Sequence, residues 1–148
     1  MVPLIVLVIS FAVLRLTGFV GVAWLDNWSL PLRMALFVMF MLTASAHWGR
    51  GRPDLIRMVP PAFPAAEVII TVTGLLEILG GVGLLIPQTA RAAAICLAIL
   101  LVGMFPANIR AARERLTILG RTAMNVTVRG VIQAIFVGAL LAVAVFKS

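Results

Sequence analysis

The residues with the makings of chemistry are polar side chains set in apolar surroundings. Arg15, Glu67, Glu77, Arg129 and Gln133 each interrupt a long apolar run, and His47 and Asn108 stand near the ends of two others. A charge at the centre of a bilayer costs about 2.5–3.5 kcal/mol on insertion scales, so such residues turn inward and find partners. Their types suit proton handling by a carboxyl or an imidazole, and hydrogen bonding to the polar head of a ligand by guanidinium and amide groups. Metal and dithiol chemistry are poorly served. The single cysteine, Cys96, excludes an internal disulfide, a C-x-x-C pair and a structural zinc site, and the single histidine excludes bis-histidine haem ligation. Cys96, in AAAICLAILL, reads as a small buried hydrophobe.

The elements that must position these groups follow from composition. Of 148 residues, 63% are hydrophobic and 11% charged, and the mean hydropathy is +1.17. Soluble domains run at roughly 45–50% apolar and about 25% charged. A core this small cannot bury such an excess. The chain is therefore read as an all-α membrane protein with one transmembrane domain. At about 20 apolar residues per crossing, the spans fall at about 2–25, 31–48, 65–86, 89–109 and 123–146. The first reads as a retained helix rather than a signal peptide, since it lacks an N-terminal Lys or Arg and a clear cleavage site.

Short loops set orientation through their Lys and Arg residues. One side holds Arg50, Arg52, Arg57, Arg110, Arg113, Arg115 and Arg121, and the other Arg33, Arg91 and Lys147. The expectation is a cytoplasmic N-terminus and an outside C-terminus. The net charge of +7 then belongs to this asymmetry and to lipid headgroups, not to nucleic acid. Between the second and third spans, Pro53 can open a helical turn that Pro60-Pro61 must end. The segment NIRAARERL, from Asn108, can carry the fourth helix on until Gly120 stops it.

Depth and face gather the polar residues. With those crossings, Arg15 lies roughly 18 Å in, Glu77 roughly 17 Å, Gln133 roughly 15 Å and Arg129 roughly 9 Å. Asn125, Arg129 and Gln133 share one helical stripe, as do Thr43, His47 and Arg50. On the third span Glu67, Thr71 and Gly74 form one stripe, and Thr73, Glu77 and Gly80/Gly81 another, whose glycines admit a close neighbour. The expectation is one interior seam, with Glu77 paired to Arg15 or Arg129.

These landmarks resemble the DoxX family of small bacterial membrane proteins over residues 33–145. A helix opens with Arg33 and closes on His47, and Met58-Val59-Pro60-Pro61 follows with Pro64 beyond. Then come Glu67…Thr73-Gly74-x-x-Glu77…Gly80…Gly83-Leu84-Leu85…Pro87, Phe105-Pro106-Ala107-Asn108, and Arg129-x-x-x-Gln133. Trp48 follows the histidine, and Val131 stands where the last helix often has proline. The resemblance implies a four-helix transmembrane bundle, here with an additional N-terminal transmembrane helix, in a bacterial inner membrane. It also implies association with oxidoreductase chemistry, since some relatives are subunits of quinone-reducing complexes. The chain carries no flavin, haem, iron–sulfur or metal motif, so any electron carrier would be a bound quinone or an oxidoreductase partner, membrane-bound or peripheral. Whether the chain is itself an enzyme, and whether it forms an oligomer, stay open. The alternative is a non-enzymatic scaffold or assembly factor whose polar seam is structural. A small transporter is the weakest reading, because no internal repeat supports it.

Overall fold

A computed structural model describes residues 1–146; Lys147, counted above, lies outside the described residues. Four helices are long and apolar enough to cross a membrane: α1 (Val2–Phe19), α4 (Ala66–Leu85), α5 (Ala90–Arg113) and α6 (Val126–Val145). A fifth apolar helix, α2 (Ser29–Ser45), has 17 residues, about 26 Å at 1.5 Å per residue. This is the short end of the spanning range. A short helix α3 (Arg52–Met58) and a hairpin of β1 (Thr117–Ile118) and β2 (Arg121–Thr122) complete the order.

α2, α4, α5 and α6 form a four-helix bundle, each packed on the next and α6 touching α2, while α1 lies along α2. The core gathers Leu36, Met39 and Phe40 of α2, Leu84 of α4, Leu97 of α5 and Leu140 of α6. Outward positions are equally apolar: Val68, Leu79, Ile99 and Val131 are all exposed. Only lipid solvates such a surface without penalty. In lipid, however, burial alone does not hold helices together, so close packing and interhelical hydrogen bonds must. Gly80 shows the closeness reached: a Cβ there would lie 2.6 Å from the Leu97 side chain.

The first span ends earlier than expected. The apolar stretch, interrupted by Arg15 and Thr17, extends to Leu25, but the helix stops at Phe19, the chain turns at Gly21 with φ +119°, and Ala23–Leu25 form a 3₁₀ turn. Gly18 packs on that turn so tightly that a Cβ would sit 2.6 Å from the Leu25 carbonyl oxygen. A hydropathy window cannot see a reversal made by apolar residues around a glycine.

The other boundaries follow local chemistry. α2 gives way to a turn through Ala46 and His47. α3 starts with proline in its first turn and ends before Val59-Pro60, as the prolines dictate. α5 runs through Pro106 to Arg113, so Asn108 is helical rather than terminal. Asn125 caps α6, its Oδ1 accepting the Val128 N–H at 2.9 Å. It therefore leaves the polar stripe expected of it. In the hairpin, Leu119 (φ 49°) and Gly120 (φ 76°) make a two-residue turn with both φ positive.

α3 and the hairpin cover one end of the bundle. The Leu119 N–H donates to Asp54 Oδ2 at 2.8 Å, and Arg57 pairs with Asp54 while donating to the Thr117 carbonyl at 3.3 Å. The Leu119 amide, and then the Arg57 guanidinium, hold the Asp54 carboxyl below the ordinary carboxylate range. Arg110 ties α5 to this layer by donating to the Val59 carbonyl.

Candidate functional site

Glu77 sits near the middle of α4 and is 3% exposed. Its one hydrogen-bond partner is a hydroxyl: Thr43 Oγ1 on α2 donates to Glu77 Oε2 at 2.7 Å. Among the described residues the ion pairs are Arg15–Asp26, Arg110–Glu114 and Arg57–Asp54. The expected pairing of Glu77 with Arg15 or Arg129 is not formed. Geometry explains why: Glu77 faces α2, which presents threonine and histidine at that level, while Arg15 and Arg129 lie on α1 and α6. Burying a charge without a counter-ion costs several kcal/mol, which makes this carboxyl the most exceptional group in the fold.

His47 lies in the turn after α2 and is also 3% exposed. Its Nδ1 is 3.2 Å from the Thr43 carbonyl oxygen. Donation by Nδ1–H leaves Nε2 as an acceptor in the neutral ring, and Nε2 is buried without a partner. Thr43 thus touches both groups, the carboxyl through its hydroxyl and the imidazole through its carbonyl. Gly74 makes room for them: a Cβ at that position would fall 2.7 Å from His47 Cβ and Cγ and 2.9 Å from Trp48 Cη2. Trp48 stands beside the imidazole, with ring centroids 6.1 Å apart.

Arg52 closes this region from the α3 side. It donates to the His47 carbonyl at 2.8 Å, to Thr71 Oγ1 at 3.0 Å and to the Glu67 carbonyl at 3.3 Å. Sequence reasoning counted Arg52 only as a loop charge. Its position seven residues beyond the last residue of α2 carried no signal that it would fold back onto that helix. Glu67 contributes its backbone alone, since its side chain is exposed and outside the seam.

A second polar cluster joins α5 to α6. Asn108 Nδ2 donates to Gln133 Oε1 at 3.1 Å, and Arg129 Nη2 donates to Asn108 Oδ1. Gln133 Nε2 donates to the Leu101 carbonyl at 3.0 Å. Pro106 has no N–H for the Val102 carbonyl, which weakens the helix ladder in this stretch, and Gln133 supplies a donor one residue away. Asn108 and Gln133 therefore serve each other and the backbone, as a lock. Arg129 alone retains a buried unpartnered atom, Nε. Among the described residues no hydrogen bond links this cluster to Glu77 or His47, so the single seam expected from the sequence is two.

Arg15 belongs to neither. It lies one turn from the end of α1, where it donates to the Leu25 carbonyl at 3.0 Å and to that of Asp26, and stacks 4.5 Å from the Phe19 ring centroid. Shortening of the first helix moves it from the expected mid-depth to the helix end. Cys96 is exposed rather than buried. It lines a groove of about 460 Å³ between α4 and α5, walled by Leu76, Leu79, Gly80, Leu97 and Leu100, with no Asp, Glu, His, Lys or Arg among its described lining residues. Among the described residues no group of three His, Cys, Asp or Glu side chains gathers to hold a metal ion.

Fold and composition together define an all-α bundle of helices long and apolar enough to cross a membrane, with a buried carboxyl and a buried imidazole both held by Thr43. Residues 34–145, from within α2 to the end of α6, match the family described as a domain of unknown function, DUF8561, and the chain belongs to it. Comparison with curated proteins and with solved structures yields no match.

Proposed function

We propose that this protein is a DoxX-like, redox-associated membrane subunit whose Thr43–His47–Glu77 site holds the polar head of a lipophilic ligand of the quinone class. The observation that carries the reading is a buried carboxyl without a cation next to a buried imidazole whose Nε2 has nothing to accept from. Two such groups served by one threonine are a costly arrangement for a purely structural contact. A quinol hydroxyl answers the vacancy, donating to His47 Nε2, and Trp48 offers an aromatic face for the ring. Glu77 passes the two protons of the quinone/quinol couple one after the other, while its two electrons pass to or from an oxidoreductase partner. By the distribution of arginines, the α3 end faces the cytoplasm of a bacterial inner membrane.

Organic extraction of the detergent-purified protein followed by mass spectrometry tests this. A quinone is expected in the wild-type extract, and Glu77→Gln, which keeps the shape and the Thr43 contact, should lower its occupancy. A ligand-free preparation that also fails to bind added quinone refutes the reading. The Asn108–Arg129–Gln133 lock favours a second reading, a scaffold whose polar groups only fix helix register. There Glu77→Gln reduces folded yield without any ligand effect, and cross-linking captures a membrane partner.

A further inference from the structure

We propose that the end of the bundle opposite α3 carries a binding site for a phosphate group, built on Arg33 and Arg91. Arg33, one turn into α2, is 3% exposed. Its Nε donates to the Leu84 carbonyl at the end of α4, whereas Nη2 is buried with no partner. None of the ion pairs among the described residues includes it. Arg33 borders a cavity of about 300 Å³ whose walls also include Arg91, Pro87, Ala90 and Phe146, and among the described residues no acidic side chain lines it.

Two of its walls, Arg33 and the start of α5, favour an anion; the third is the last turn of α6. Arg91 sits in the first turn of α5, a helix of 24 residues, whose N-terminal end concentrates positive potential and free N–H groups. The preceding Thr89 makes no capping bond to that end, and its hydroxyl donates to the Gly83 carbonyl at 2.8 Å. Two guanidinium groups and a helix N-terminus thus share a cavity to which no described residue brings a carboxylate. A guanidinium presents a planar fork of donors matched to phosphate oxygens. Leaving such a donor buried and unmet carries the full penalty of its desolvation.

The level selects phosphate over other anions. The cavity lies where α2 and α5 begin and α6 ends, the height at which a spanning bundle meets lipid headgroups. Val145 and Phe146 on its rim are exposed and apolar, an edge suited to acyl chains beneath a headgroup. The same chemistry would accept a lipid phosphodiester or free phosphate. It is separate from the Glu77 site, so either can fail without the other.

Native mass spectrometry of the full chain in detergent, with phosphatidylglycerol or inorganic phosphate added, provides the test. One tightly held phosphate-bearing species is expected on the wild type. Arg91→Gln, at an exposed position, should weaken it about tenfold, the loss of a charged hydrogen bond. Arg33→Lys, which keeps the charge but removes the fork, should do at least as much, and both variants should retain wild-type helical circular dichroism. Arg113→Gln, an exposed arginine at the other end, should leave binding unchanged. Retention of phosphatidylglycerol against excess inorganic phosphate assigns the lipid as the source, and displacement by inorganic phosphate assigns the free ion. Binding that is absent from the wild type, or equal in wild type, Arg91→Gln and Arg33→Lys, overturns the proposal.

Discussion

Replacing Gly74 with alanine is the sharpest probe of how the Glu77 site is built. The added Cβ would stand 2.7 Å from His47 Cβ and Cγ and 2.9 Å from Trp48 Cη2. Carbon atoms settle at about 3.5–4.0 Å, so the end of α2 must withdraw from α4 by roughly 0.8 Å. Overpacking on this scale costs about 1–3 kcal/mol. The Thr43–Glu77 bond, 2.7 Å long, spans the same two helices, and its loss adds about 0.5–1.5 kcal/mol. Alanine returns about 1 kcal/mol through its helix propensity, leaving a net destabilisation of about 0.5–3.5 kcal/mol. Gly138 provides the control, because a Cβ there meets nothing within 4 Å. Gly138→Ala should be neutral or mildly stabilising. Unfolding in mixed detergent and SDS micelles, followed by helical circular dichroism, compares the two variants, and quinone content of each extract reports on the site. If Gly74→Ala proves as stable as Gly138→Ala, the packing of Gly74 on His47 is wrong, and the description of the site falls with it.

Gln133→Leu should lower stability by about 1–3 kcal/mol, because it strands the Leu101 carbonyl and the Asn108 amide, yet leave ligand content unchanged; the same unfolding assay and extract decide both points. The Asp54 carboxyl is held below its ordinary range by the Leu119 amide and Arg57, so the docking of the hairpin on α3 is at full strength above the ordinary carboxylate pKa of about 3.9 and is lost as pH falls through the depressed folded value. Hydrogen exchange at the Leu119 amide, corrected for intrinsic rate, should therefore hold steady from neutral pH down to that range and lose protection only below it. Asp54→Asn should weaken protection already at neutral pH.

The five apolar helices were legible because lipid imposes a length and a composition that few other environments demand. Helix ends were legible where the breaker is proline, as at Pro60-Pro61 after α3 and Pro87 after α4, and illegible where an apolar stretch reverses at Gly21. Glu77, Arg129, Gln133, His47 and Asn108 were identifiable as polar groups in the wrong solvent. Their partners were not. Periodicity assigns a side chain to a face and a level, but not to the helix it will meet, and α4 meets α2 where an arginine on another helix had been expected. Thr43 was visible as a member of the His47 stripe, though nothing marked its hydroxyl as the answer to Glu77. Arg33 and Arg52 were masked for a related reason: arginines at helix ends are so often solvated that their burial or back-folding leaves no trace in spacing.

The ties of Arg15 bear on how the protein enters the bilayer. Its acceptors, the carbonyls of Leu25 and Asp26, lie within the next dozen residues of the chain and not on a distant helix. An emerging chain can therefore satisfy this guanidinium as soon as Asp26 has left the ribosome. This hydrophobic segment can then partition into lipid with the Arg15 guanidinium already matched, before the bundle that α1 will later flank has left the ribosome.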